Sequence, residues 1–161
     1  MRARRPVWTI AIATIVAIGS ARIEATQLPE PLASAVMLLG WSREDVPIID
    51  VVRAKPSGGS PTAEAWVDFD GDGRAIPVIH VRSDTENYRA AAAMDYPALV
   101  RLAGILIHER WHIAHGRDEV GAYSAQLAIM EYLHAPAVDL MDVRRSLQHV
   151  MKATRSGKRA Q

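Results

Sequence analysis

His108-Glu109-Arg110-Trp111-His112 is the segment of this sequence best equipped for chemistry. On a helix its two histidines fall on one face, a single turn apart. That spacing lets two imidazole nitrogens reach one zinc ion at roughly 2.0–2.1 Å each. Glu109 lies beside His108 on the neighbouring part of the same face. It is badly placed to share the ion, but it can reach a water held there. The chemistry implied is hydrolysis: zinc lowers the pKa of that water toward ~7. Glu109 takes the proton as the water attacks a carbonyl and returns it to the leaving amine. The pattern alone recurs by chance, and its weight comes from an apolar helix before it and acids after it.

A catalytic zinc site takes a third protein ligand and keeps a fourth position open. His115, Asp118 and Glu119 are the candidates. His115 is seven residues from His108, about 10 Å of helical rise, which is too far for both to bind one ion. It reads instead as an exposed cation complementing the end of the helix dipole. Asp118 stands where some zinc proteases place a ligand, but their pattern wants glycine at the position of His115, and Gly116 comes one place late. Glu119 opens the next helix and is preferred, because a helix holds a ligand more rigidly than a loop. Asp118 remains the alternative. The acid not used would cap the second helix or hydrogen-bond a ligating histidine.

The run His108-Glu109-Arg110-Trp111-His112, then Gly116, then Asp118-Glu119-Val120-Gly121-Ala122-Tyr123 resembles the gluzincins, zinc peptidases with two histidines and a downstream glutamate. The resemblance covers roughly residues 63–133. It implies zinc ligands at His108, His112 and Glu119, a catalytic base at Glu109, and a β-sheet beside the motif helix. An edge strand of that sheet would hold substrate in extended form, and the strand containing Ile79 and His80 is the candidate. The link between His112 and Glu119 is six residues, shorter than in large members of the group.

Several elements must position these residues. Pro31 and Gly40 bracket a helix over about 30–39. Pro47 to Val52 is short and β-branched, a strand, and Lys55 to Pro61 is a loop by composition. Ala63–Phe69 and Ala75–Val81 flank Asp70-Gly71-Asp72-Gly73-Arg74 and read as a hairpin, with Pro77 marking a bulge or an unpaired side. A short alanine-rich helix over 87–93 precedes the motif helix, which starts at Pro97 and stops at Gly116. Further helices follow over about 118–133 and 138–153. The fold class expected is α+β: a small antiparallel sheet packed on the motif helix with further helices behind, a minimal zincin-like domain over 27–153.

Composition bounds the function. The chain has 161 residues, one domain's worth, with 49% hydrophobic and 23% charged residues, as in ordinary soluble domains. A net charge of +1 argues against nucleic acid as the partner. Without cysteine there is no disulfide, thiolate ligand or cysteine nucleophile. Arg2, Arg4 and Arg5 precede an apolar run from Val7 to Ile18 and then Gly19-Ser20-Ala21, the order of an export signal over residues 1–21. The run is short of the roughly 20 residues of a spanning helix. Cleavage near Ala21 is favoured over an uncleaved membrane anchor through residues 7–18. The protein would then be exported, periplasmic or secreted, or else tethered to the membrane. Its removal leaves 16 basic against 18 acidic residues. Residues 154–161 read as a disordered basic tail.

Other residues weigh less. Asp68, Asp70, Asp72 and Gly73 imitate a calcium loop, but Ile79 stands where such a loop needs glutamate. Tyr123, a turn after Glu119, either donates to an oxyanion or simply packs beside the site. Trp111 is expected to pack toward the sheet, and Leu127, Ile129, Met130 and Leu133 to enter the core. The function expected is zinc-dependent hydrolysis of a peptide or protein substrate. The rivals are a catalytically silent, zinc-stabilised binding module and a zinc amidase acting on a non-peptide substrate.

Overall fold

A computed structural model describes residues 28–53 and 63–159, with side chains to 156. The N-terminal segment read as a signal or anchor, and the whole loop over 55–61, lie outside them. Among the described residues no single helix is long and apolar enough to cross a membrane. The elements run α1 (Glu30–Leu38), β1 (Ile48–Val52), β2 (Ala65–Phe69), β3 (Ala75–Arg82), α2 (Glu86–Ala92), α3 (Tyr96–His115), α4 (Glu119–Tyr132) and α5 (Ala137–Arg159).

The class is α+β, but the sheet is mixed where a wholly antiparallel one was expected. Its order is β1-β3-β2. β3 pairs antiparallel with β2, as the hairpin requires, and parallel with β1. Asp70 builds the turn between β2 and β3. Its carboxylate accepts from the backbone N–H of Asp72 at 3.0 Å and of Arg74 at 2.8 Å, and Gly73 takes φ 77°. Those bonds commit the Asp70 carboxylate to the turn, while Asp68 lies in β2. The β2–β3 register slips between Val67 and Phe69, opposite Pro77, which has no N–H to donate.

One sheet face packs on α3. Ile49, Val67, Ile79 and Val81 are buried there with Leu99, Val100, Leu102 and Leu106 of α3. α3 begins at the Asp95 cap, whose side chain accepts from Ala98 N–H, with Pro97 in the first turn; both choices suit a helix start. It ends at Gly116, whose φ of 70° and ψ of −145° belong to a region open essentially to glycine. α4 folds back along α3. At the crossing, a Cβ on Gly104 would come within 2.8 Å of Met130 Cγ and Sδ, so glycine sets how closely the two helices approach. Met130 and Leu133 are buried, while Leu127 and Ile129 are half-buried against the core.

α5 continues through Arg159, past the stop expected near 153, so the segment read as a tail is helical over most of its length. Arg155, Lys158 and Arg159 are good helix formers, set against the weaker Thr154, Ser156 and Gly157. The Thr154 and Ser156 hydroxyls bond back to the carbonyls of Val150 and Lys152 at 2.9 and 3.0 Å.

Candidate metal centre

The last two turns of α3 and the first turn of α4 bring His108, His112 and Glu119 together. The Nε2 atoms of the two histidines lie 3.2 Å apart. Glu119 Oε2 is 3.6 Å from His108 Nε2, and Glu119 Oε1 is 3.6 Å from His112 Nε2. One ligand atom from each of the three lies within 4.8 Å of the others, so the group can hold a metal ion. The histidine side chains are 11% and 7% exposed, and Glu119 is 49% exposed. The open side of the cluster is therefore the carboxylate side.

The other ring nitrogens fix the tautomers. His108 Nδ1 lies 3.1 Å from Gln126 Oε1, and His112 Nδ1 lies 2.7 Å from the Gly116 carbonyl. Both partners are acceptors, so each Nδ1 donates, and in the neutral ring that leaves the Nε2 lone pair turned toward the centre. Two lone pairs and a carboxylate converging at these distances repel one another and are relieved by a shared cation. Burial, and then the neighbouring His112, push the His108 pKa down to about 4 against the opposing Gln126 bond. His108 is thus neutral and ready to ligate across the physiological range.

Asp118 is occupied elsewhere. It caps α4, Oδ1 accepting from Gly121 N–H at 3.1 Å and Oδ2 from Trp111 Nε1 at 3.3 Å. Those hydrogen bonds hold its carboxyl below the usual value. Trp111 thus packs toward the start of α4, not toward the sheet, and stacks on exposed His115 at 4.0 Å. A Cβ on Gly121 would overlap both the Trp111 indole and the Asp118 carboxylate. This latch places Glu119 at the first position of α4.

A cleft of about 470 Å³ opens over the cluster. β2 and the two residues before it, Ala63 and Glu64, form one wall, and Tyr123 and Gln126 of α4 form another. Glu109, 8% exposed, lines it beside the histidines. Phe69 meets His112 edge-on at 6.2 Å. Tyr123 packs edge-on against His108 at 4.5 Å. Burial and the Glu119 charge raise its phenol pKa, while a hydrogen bond with Ser146 opposes them and the Glu109 charge adds to the rise.

The strand expected to hold substrate needs correction. β3 is central, paired on both sides, so it offers no free edge. Ile79 is fully buried against α3. Strand alternation turns His80 to the opposite face. There its ring stacks on Trp66 at 5.1 Å and meets Asp50 and Asp68 at 3.1 and 3.3 Å. Among the described residues the free edge beside the cluster belongs to β2, which the sequence placed in the hairpin without distinguishing its edge. Sequence reasoning also missed Gln126 and the carbonyl of Gly116. Gln126 had one available signal: it lies two helical turns after Glu119, on the same face of α4.

Comparisons with protein-family models, curated proteins and solved structures find no match for this chain.

Proposed function

We propose that this chain is a zinc-dependent peptidase. The observation that carries the reading is the convergence of two imidazole lone pairs and a carboxylate, with Glu109 beside them on the floor of an open cleft. Two nitrogens and one oxygen suit zinc among the common metals, and His108, His112 and Glu119 would hold it. Bound there, zinc supplies Lewis acidity toward a carbonyl oxygen and acidifies water. The rest falls to side chains of this chain. Glu109 accepts the proton of the attacking water and passes it to the leaving nitrogen. Gln126 and the Gly116 carbonyl keep both imidazoles in the ligating tautomer. The free edge of β2 pairs with the substrate backbone and lays it across the cleft in extended form. Export from the cytoplasm rests on the order of residues in segment 1–21 alone.

The test is purification from metal-replete medium, metal analysis, and an assay on an unfolded protein substrate. One zinc per chain is expected, with hydrolysis lost in Glu109→Gln by roughly 10²–10⁴-fold while the zinc stays. Bound zinc with equal behaviour of wild type and Glu109→Gln would instead make the chain a zinc-stabilised binding module.

A further inference from the structure

The cleft does not end at the metal cluster. Past Glu64, Ile105 and Gln126, which it shares, it continues into a second pocket of about 120 Å³ reaching α5. Ile105, Met130 and Val143 give that pocket apolar walls. Its charged groups are Glu64, Asp139 and Asp142 against one guanidinium, Arg101, with Glu86 on the adjoining surface. Arg101 is committed within the group, donating to Asn87 Oδ1 and Asp139 Oδ1 at 3.0 Å each. Asp142 pairs with Arg145 at 3.4 Å, both side chains well exposed.

Asp139 stands out. Its side chain is 8% exposed, and Oδ2 is buried with no hydrogen-bond partner among the described residues. A buried carboxylate oxygen without a donor is costly, and a cation brought into the pocket offsets that cost. Glu64 shows the same tension: burial raises its carboxyl, with the Asn87 hydrogen bond and the charges of Arg101 and Arg82 opposing. At the other end of the cleft the sign reverses, where the Arg117 guanidinium sits 4.2 Å over the Phe69 ring.

We infer that this pocket is a substrate subsite for a long basic side chain, lysine or arginine, on the peptide laid along β2. The apolar walls take the methylene stem and the carboxylates take the charged head, as amphipathic side chains prefer. The inference rests on the peptidase reading and specifies its substrate class. Position follows from α3: Arg101 to His108 is seven residues, about 10 Å of rise. At about 3.3 Å per extended residue, the basic residue lies about three positions from the cleaved bond.

The experiment separates binding from cleavage. Fluorescent alanine-glycine peptides carry a single lysine, or norleucine, which keeps the four-carbon stem without the ammonium, at successive positions. Binding is measured on zinc-loaded Glu109→Gln protein and cleavage on wild type. The expected result is a preference for lysine over norleucine of roughly tenfold, about 1.4 kcal/mol. It should appear at one register only, shrink in Asp142→Asn and in Glu64→Gln, and weaken with salt. Asp139→Asn is the less useful variant, because it breaks the Arg101 ion pair and threatens the fold. Equal binding of the two peptides, or binding of neither, overturns the subsite. Preferential binding without cleavage by wild type leaves the subsite standing and removes the peptidase.

Discussion

Gly121→Ala changes a residue outside the His108, His112 and Glu119 cluster, yet the structure expects it to damage that candidate metal centre. On helix propensity alone, alanine should stabilise α4 by about 1 kcal/mol. The new Cβ would overlap the Trp111 indole and the Asp118 carboxylate, so one or both must move. Losing the Asp118 cap costs about 1 kcal/mol. The Trp111–Asp118 bond adds about 0.5–1 kcal/mol, and repacking at least another ~1 kcal/mol. The balance is a loss of about 1–2 kcal/mol, on the order of 5 °C in Tm for a chain of this size. Because Glu119 directly follows Asp118, zinc affinity should also fall, by roughly tenfold or more. Thermal melts with and without zinc, and zinc competition against a chelator, read both effects. Ser124→Ala, on the exposed side of the same helix, controls for propensity. A Gly121→Ala protein that melts at or above wild type with unchanged zinc affinity would refute the latch and its hold on Glu119.

Three further outcomes follow from the same geometry. Metal analysis of single variants should find zinc lost in His112→Ala and weakened by orders of magnitude in Glu119→Gln. Asp118→Asn should keep it, since that side chain caps α4; the reverse pattern would move the third ligand to Asp118. Gly116→Ala forces a side chain into φ 70°, ψ −145° at a cost of about 1–3 kcal/mol. It also shifts the carbonyl that orients His112, so both the melt and the zinc titration should register it. Glu64 has a raised folded pKa, so its contribution to stability is present below the unfolded value and lost as pH rises through the folded one. The stability difference between wild type and Glu64→Gln should therefore move against wild type as pH climbs above the ordinary carboxylate range; a difference flat with pH would remove the burial argument.

The helices were legible because their ends are written locally. Pro97 and Gly116 mark the limits of α3 through backbone restrictions that act within a turn, and the i, i+4 histidines follow from helical geometry alone. The hairpin was legible for the same reason, in the Asp70–Arg74 turn. The sheet was not. The parallel pairing of β1 with β3 joins Ile49 to Ile79 and Asp50 to His80, contacts set by burial between residues distant in the chain. That pairing makes β3 central, and so moves the free edge to β2 and takes Ile79 and His80 out of the cleft. The acidic pocket was equally hidden, since Glu64, Arg101 and Asp139 come from three separate stretches and share no spacing. α5 outran its expected end: the charge of its last residues suggested a solvated tail, yet the helix runs on through Arg159.

The rigidity of helices favoured Glu119 in the sequence and left Asp118 as the alternative, and the structure supplies a more specific cause for the preference. The first turn of α4 has N–H groups that need an acceptor. Asp118, at the cap, has a side chain short enough to satisfy one of them, and Trp111 claims its second oxygen. Glu119, one residue on and one methylene longer, is left to face the histidines. The same economy appears at the end of α3, where the glycine that stops the helix also presents the carbonyl that orients His112. The six-residue link is thus short because its backbone caps two helices and positions two candidate ligands at once. A metal held there ties α3 to α4, so its binding free energy adds to the stability of that pair. Any substitution that loosens either cap should be felt more strongly in the zinc-loaded protein than in the protein without it.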